Sequence, residues 1–296
     1  MNARRWRIID TFDDFLAYWS DVRQEPLDRQ IERWRTSYMA KYPELLAKQV
    51  RDYEGQGLDW REIAREHVFP WLAERLPLMR EARDNLLSIC GPTCEQASQV
   101  LGFDFEVVFA IYVGLGCGAG WATRYDHRPA CLFGLENIAE CGWQSQDRLR
   151  GLTAHELGHL THIAWRNAWD GFEEAERDPL FRLYAEGFAQ RCEHLILGDE
   201  TWHEVQDEGW LPWCEEHEAW LAREYLRRME SGESVRDFFG SWFEIQGRKQ
   251  TGRFLGHEFI HWLEREHSLQ EIAVYPIEDV RKQAEQYLRL YLGIVS

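Results

Sequence analysis

The spacing of apolar and polar positions divides the chain into three stretches: helices, then strands, then helices. From Pro26 to about Leu87 the apolar residues recur at helical spacing, with polar linkers between the elements. Between Phe103 and Gly142 the pattern changes to short β-branched and aromatic runs separated by Gly, Asp and Pro. After Gly142 the helical spacing returns and continues to the C-terminus. This order predicts an α+β protein that is predominantly helical, with one small sheet.

The pattern also predicts the order of elements along the chain. Residues 1–100 are expected to form an N-terminal helical region, which carries no chemical motif. Residues 101–296 are expected to form the core. Its predicted elements are a sheet within 103–142, helices over 147–166 and 179–197, and a helical C-terminal part over 200–296. The start of the helix over 179–197 is indicated by Asp178 as N-cap and Pro179 at the first helical position, and its end by Gly198.

Composition and charge exclude several classes of protein. The chain of 296 residues is 45% hydrophobic and 14% aromatic, which is typical of a folded domain. Its net charge of −17 argues against nucleic acid or an anionic membrane as a partner. Neither a signal peptide nor an apolar run of membrane-spanning length is expected. The seven cysteines are odd in number and widely spaced, which favours reduced thiols and a cytoplasmic location.

The predicted helix over 147–166 carries the sequence HELGH at residues 155–159. His155 and His159 are one helical turn apart, about 40° around the axis, so both imidazoles can reach one ion. Glu156 points elsewhere and can accept a proton from a water that the metal activates. It is the one charged side chain in an otherwise apolar segment over 151–165, where unpaired polar groups are costly. The motif predicts a Zn²⁺ site with Glu156 as general base, whereas His162, one turn on, is expected to be a neighbour of the metal and not a ligand.

A second lone carboxylate lies in the predicted helix over 179–197. Glu186 is the one charge within the segment LYAEGFAQ, and a carboxylate in apolar surroundings needs a cation. Small residues at 185, 187 and 189 predict that this helix approaches the first one closely. Glu186 is therefore the expected third metal ligand. The nearby Glu173, Glu174 and Glu176 lie in a polar connector and are expected to be solvated.

HELGH, followed after 27 residues by Glu186 within the sequence AEGFA, resembles the gluzincin pattern of zinc metallopeptidases. The likeness is greatest to poorly characterised bacterial zinc-dependent proteases. It implies a thermolysin-like catalytic core binding one Zn²⁺ per chain, with a peptide or protein as substrate. It also implies a strand at the edge of the sheet that binds the substrate by backbone pairing. That strand is expected at Ala130–Leu135, with Ala130, Cys131, Leu132, Phe133 and Gly134 as substrate-binding residues.

The motif occurs a second time, as HEFIH at residues 257–261. Charged residues follow it at once, and no apolar helix with a lone carboxylate comes after it, so the first motif is the preferred metal site. Gluzincins commonly place a Tyr or His from the C-terminal part beside the oxyanion. By this resemblance His257 is the expected oxyanion stabiliser, and the alternatives are Arg253, His261 and Tyr184.

The sequence thus predicts a cytoplasmic zinc metallopeptidase. Two alternatives remain open at this point. The first is a metal-dependent hydrolase of a non-peptide amide, because the ligands do not encode the acyl group. The second is an inactive zinc-containing module that binds a protein, which the presence of Glu156 disfavours, since a purely structural site needs no base.

Overall fold

The computed structural model describes residues 5–203, 207–240 and 242–293. Within them the chain is mostly helical, with one four-stranded sheet. The strands are β1 (Trp6–Asp10), β2 (Val107–Tyr112), β3 (Gly120–Tyr125) and β4 (Arg128–Gly134). The α-helices are α1 (Phe12–Val22), α2 (Leu27–Arg33), α3 (Pro43–Gly55), α4 (Trp60–Ile63), α5 (Leu72–Leu101), α6 (Leu135–Cys141), α7 (Gln146–Arg166), α8 (Phe172–Ala175), α9 (Pro179–Leu197), α10 (Trp210–Ser231), α11 (Thr251–Leu263), α12 (Leu269–Ala273) and α13 (Ile277–Arg289). None of these helices is both long and apolar enough to cross a membrane.

The chain forms two compact units, Met1–Thr153 and Ala154–Ser296, instead of dividing near residue 100 as the sequence predicts. The reason is β1, a strand within the region that was expected to be helical. It pairs in parallel with β2, from Trp6 opposite Val107 to Asp10 opposite Ile111. This pairing joins the N-terminal region to the sheet in one unit.

The strand order in the first unit is β1-β2-β4-β3. Strand β2 is buried along its whole length, as its continuous apolar sequence predicts. Strand β4 pairs in parallel with β2 on one side and antiparallel with β3 on the other. The two-residue turn between β3 and β4 has positive φ at Asp126 (52°) and His127 (58°), as a type I′ hairpin requires.

The expectation that Ala130–Leu135 forms an exposed edge strand is therefore wrong. Ala130, Cys131, Leu132, Phe133 and Gly134 lie in the interior strand β4, and Ala130 pairs with both Val108 and Thr123. Their backbone groups face neighbouring strands on both sides, so they are not open to an extended peptide. The outer strands among the described residues are β1 and β3.

The glycine-rich segment after β2 is held by a buried carboxylate. Glu136, on α6, is 1% exposed. Its two oxygens accept hydrogen bonds from the amides of Gly114 (2.6 Å) and Gly116 (2.9 Å). Glu136 thus stabilises a turn whose amides would otherwise be buried without partners.

In the second unit, α9 lies between α7 and α11. Its bounds agree with the prediction, and the Asp178 carboxylate caps it by accepting from the amides of Leu180 (2.9 Å) and Phe181 (3.0 Å). A Cβ on Gly158 of α7 would lie 2.7 Å from Cys192 Cβ and 2.9 Å from the Ala189 carbonyl oxygen. The close approach of α7 and α9 is therefore at Gly158, in the middle of the HELGH sequence.

Gly187 has a different role from the one its sequence position suggests. A Cβ there would lie 2.1 Å from the carbonyl carbon and oxygen of Gly256, on α11. A Cβ on Gly256 would in turn lie 2.3 Å from the Leu183 carbonyl oxygen. The two glycines bring the backbones of α9 and α11 into direct contact, so Gly187 faces α11, whereas Ala189 faces α7.

Candidate metal centre

Helices α7 and α9 bring His155, His159 and Glu186 together, as the sequence predicts. One ligand atom from each lies within 4.8 Å of the other two, and the group could hold a metal ion. Glu186 Oε2 lies 3.5 Å from His155 Nε2 and 4.0 Å from His159 Nε2. The side chains are 1%, 12% and 19% exposed in the order His155, His159 and Glu186. The cluster is thus buried on the His155 side and opens toward solvent at Glu186.

Helix geometry explains the position of the two imidazoles. His155 and His159 stand on consecutive turns of α7, with ring centroids 4.9 Å apart and ring planes at 79°. The segment from 151 to 163 is buried except at His159, which agrees with its apolar sequence. Gly158, between the two histidines, allows α9 to come close enough for Glu186 to reach them.

The donor set fits a transition-metal ion. Both ring nitrogens of His155 are buried and have no hydrogen-bond partner, which is costly for a polar group unless a cation binds it. Two imidazoles and one carboxylate are the donor types that Zn²⁺ and its neighbours in the first transition row prefer. Three protein ligands also leave a coordination position for water or substrate.

The charges of the cluster favour cation binding. Burial opposes ionisation of Glu186, but the His155 imidazole beside it and the Arg253 guanidinium hold its pKa well below its usual range. Burial lowers the pKa of His159 to about 3, so this ring is neutral at pH 7. Burial also opposes protonation of His155, but Glu186 and Glu193 outweigh it and raise the pKa of His155 to about 9. Without a metal, His155 therefore binds a proton at pH 7, which an ion would displace.

Glu193, which is not among the residues predicted from the sequence, contacts the other side of His155. Its Oε2 lies 3.7 Å from His155 Nδ1, and its Oε1 accepts a hydrogen bond of 3.0 Å from His203 Nδ1. Glu193 is fully buried; burial alone would raise its pKa, but His155 and His203 lower it to about 2. An anion behind a ligating imidazole fixes the ring and increases its basicity. In the sequence, Glu193 can be recognised by its spacing of seven residues from Glu186, which places both carboxylates on one face of α9.

Two further acidic residues bear on the centre. Glu156 follows the first ligand on α7 and is 4% exposed, so the proposed base is shielded from bulk water. Glu176, expected to be solvated, is half-buried. Burial and the charge of Glu186 raise the pKa of Glu176 to about 8, with a smaller contribution from Glu156. The connector after α8 therefore lies in the electrostatic field of the cluster.

Of the four candidates for an electrophile, the structure brings Arg253 to the centre. Arg253 Nε lies 3.4 Å from Glu186 Oε2, and the side chain is 11% exposed. The Tyr184 hydroxyl donates to the Ile272 carbonyl at 2.5 Å and so is engaged elsewhere.

His257, the expected oxyanion stabiliser, lies in a second cluster. Its Nε2 is 3.0 Å from His194 Nδ1, and its Nδ1 is 3.0 Å from Glu258 Oε1. His257, Glu258 and His261 each offer a ligand atom within 4.8 Å of the others. Both nitrogens of His257 are therefore engaged within this cluster, and the geometry does not direct them to Glu186.

His162, which is not one of the three clustered groups, is surrounded by aromatic rings. Its ring centroid lies 4.1 Å from that of Phe188, in a stacked arrangement, and 4.8 Å from that of Tyr184, edge to face. Burial, with the Arg166 charge nearby, holds the pKa of His162 well below its usual range. The ring is a neutral part of the core.

Comparison with protein-family models, with curated proteins and with solved structures finds no match. The functional interpretation therefore depends on the site itself. The site contains two histidines and a glutamate in one group. The carboxylate of Glu193 lies behind the first histidine, and the guanidinium of Arg253 lies beside the glutamate.

Proposed function

We propose that this protein is a zinc metallopeptidase of the gluzincin type, with His155, His159 and Glu186 as metal ligands and Glu156 as general base. The observation that carries the proposal is the meeting of the three ligand groups, from two helices, within 4.8 Å. The sequence pattern of HELGH and a later glutamate supports the same class of enzyme. Zn²⁺ is the ion best suited to two imidazoles and a carboxylate with an open position.

Zn²⁺ in such a centre would lower the pKa of a water molecule and polarise the carbonyl of a substrate. Glu156, next to a ligand on the same helix, would take the proton of the attacking water and pass it to the leaving amine. Because Glu156 is almost fully buried, few competing waters reach it, and its carboxylate acts in a medium of low dielectric constant.

Arg253 would take the electrophilic role that the resemblance gives to a tyrosine or histidine. Its guanidinium is permanently charged and lies within 3.4 Å of Glu186, so it stands beside the reacting centre. A cation there would stabilise negative charge on the carbonyl oxygen as the tetrahedral intermediate forms. Glu193, behind His155, would hold the imidazole in one orientation throughout.

The proposal is tested with Glu156→Gln, which removes the base and keeps the shape of the side chain. We expect the variant to retain zinc and to lose at least about 100-fold in the rate of cleavage of a peptide library. Glu174→Gln, an exposed position on α8 with a side chain 70% exposed, is the matched control and should retain both properties. Peptide cleavage at an undiminished rate in Glu156→Gln would refute the assigned mechanism, and no cleavage by the zinc-loaded wild type would refute the peptidase class.

A further inference from the structure

The second HExxH sequence folds into a cluster that the peptidase does not use. His257 and His261 lie on consecutive turns of α11, with ring centroids 4.1 Å apart. Glu258 stands beside them, with Oε1 at 3.0 Å from His257 Nδ1. In the first motif the acid within the sequence is not one of the three clustered groups, whereas here Glu258 is one of them. The same five-residue pattern therefore presents a different donor set.

We propose that His257, Glu258 and His261 form a second metal site, which takes a divalent ion from the end of the first transition row, such as Zn²⁺. Two imidazoles and a carboxylate are the ligands that such ions prefer. With metal–ligand distances of about 2 Å, tetrahedral ligand atoms are about 3.3 Å apart. The three groups already lie within 4.8 Å of one another, so shifts of about 1 Å for each would complete the site.

Access to this site differs from access to the first. The His257 side chain is 4% exposed and supplies a fixed, buried donor. Glu258 and His261 are 34% and 32% exposed, so an ion can enter from solvent and retain water ligands. With Glu258 as a ligand, no carboxylate of the motif is left to act as base. We therefore assign the site to metal binding and not to hydrolysis.

A chain of hydrogen bonds behind His257 fixes the ring. Its Nε2 lies 3.0 Å from His194 Nδ1, and His194 Nε2 lies 3.1 Å from Gln190 Nε2. Gln190 is fully buried, and its Oε1 has no hydrogen-bond partner.

Metal binding at His257 Nδ1 would set the protonation of the rings along this chain of hydrogen bonds. The bound imidazole must carry its proton on Nε2, which would donate to His194 Nδ1. His194 must then carry its own proton on Nε2, facing the Gln190 amide. A half-turn of that amide presents Oε1 as the acceptor. His194 and Gln190 then form an outer shell that orients the ligand.

The test is a Zn²⁺ titration of the full chain by equilibrium dialysis. We expect wild type to bind two ions, and His261→Asn to lose one of them through an affinity at least about 10-fold weaker. Glu258→Gln serves as a second variant should His261→Asn fail to fold, and it should lose the same ion. His267→Asn, one turn beyond α11 and outside both clusters, is the matched control and should bind two.

The inference does not depend on the peptidase, and the variants separate the two. Glu186→Ala should remove the other ion, and the double variant Glu186→Ala/His261→Asn should bind none. Two results would overturn the second site. The first is that His261→Asn and Glu258→Gln both still bind two ions. The second is that wild type binds a single ion and that Glu186→Ala loses it. One ion lost in His261→Asn with none lost in Glu186→Ala would support the second site and refute the first.

Discussion

Replacing Glu193 with glutamine should weaken metal binding at a centre that the residue does not itself ligate. Glu193→Gln keeps the size and shape of the side chain and removes its charge. The remaining amide oxygen can still lie opposite His155 Nδ1, so the change tests mainly the electrostatic part of the interaction. The affected ligand is buried, with little solvent to screen the charge.

The distance between the groups sets the magnitude of the effect. At 3.7 Å, two unit charges interact by about 4 kcal/mol at an effective dielectric constant of about 20. A ligating imidazole carries only part of the positive charge, and the amide replaces part of the interaction. We therefore expect Zn²⁺ affinity to fall by about 10–100-fold, which corresponds to about 1.4–2.7 kcal/mol.

The assay is competition for Zn²⁺ with a chromophoric chelator. It is carried out in the His261→Asn background, so that the first centre alone reports. Glu200→Gln, just beyond the end of α9 with a side chain 68% exposed, is the matched control and should leave the affinity within about twofold of the starting protein. The role given to Glu193 would be refuted if Glu193→Gln and Glu200→Gln bound Zn²⁺ with equal affinity while Glu186→Gln bound it more weakly.

Three further predictions concern pH, packing and the electrophile. In chelator-treated protein the pKa of His155 is raised from 6.5 to about 9, so its stabilising contribution is complete below pH 6.5. That contribution, about 3 kcal/mol, is lost as the pH rises to about 9. With saturating Zn²⁺, the free energy of unfolding measured in urea should no longer fall at alkaline pH, because a ligating His155 carries no extra proton. The same fall in the presence of the metal would contradict the prediction. Gly187→Ala should destabilise the fold by about 1–3 kcal/mol in thermal unfolding, because its Cβ would lie 2.1 Å from Gly256 backbone atoms. Gly55→Ala, with nothing within 4 Å, should be neutral or slightly stabilising, and equal effects of the two changes would refute the close crossing. Arg253→Met should keep zinc and lower kcat by about 100-fold or more, and an unchanged kcat would remove Arg253 from the mechanism.

The helices that carry the site could be predicted because each has a local signal. Helix α9 begins at Pro179 after an Asp178 cap and ends before Gly198, and all three signals are contained within the segment itself. The pairing of His155 and His159 follows from helical spacing alone. Glu186 could be identified because a lone charge in an apolar helix needs a partner. In the structure the His155 imidazole lies beside it.

The parts that the sequence did not predict depend on contacts distant in the chain. Strand β1 is recognisable only through its pairing with β2, about a hundred residues later. Strand β4 is interior because β3 folds back on it through Asp126 and His127, a turn without the Asn-Gly or Asp-Gly signal of such hairpins.

The site shows the same limit. Gly187 faces Gly256 of another helix, and that choice of partner is absent from the local pattern. His257 has the sequence neighbours of a zinc ligand, yet its role depends on His194, which lies 63 residues earlier on α9. Glu193 was overlooked because a second acid on the same face of a helix is ordinarily solvated, whereas here it is fully buried against His155.

The most direct test of the central claim is the metal content of purified wild type and of Glu186→Ala, both in the His261→Asn background, by elemental analysis. The proposed centre predicts about one zinc per chain in the parent and a loss of most or all of it in the Glu186→Ala variant. No zinc in the parent after saturation and gel filtration, or full zinc in the variant, would contradict the assignment of His155, His159 and Glu186 as the ligands.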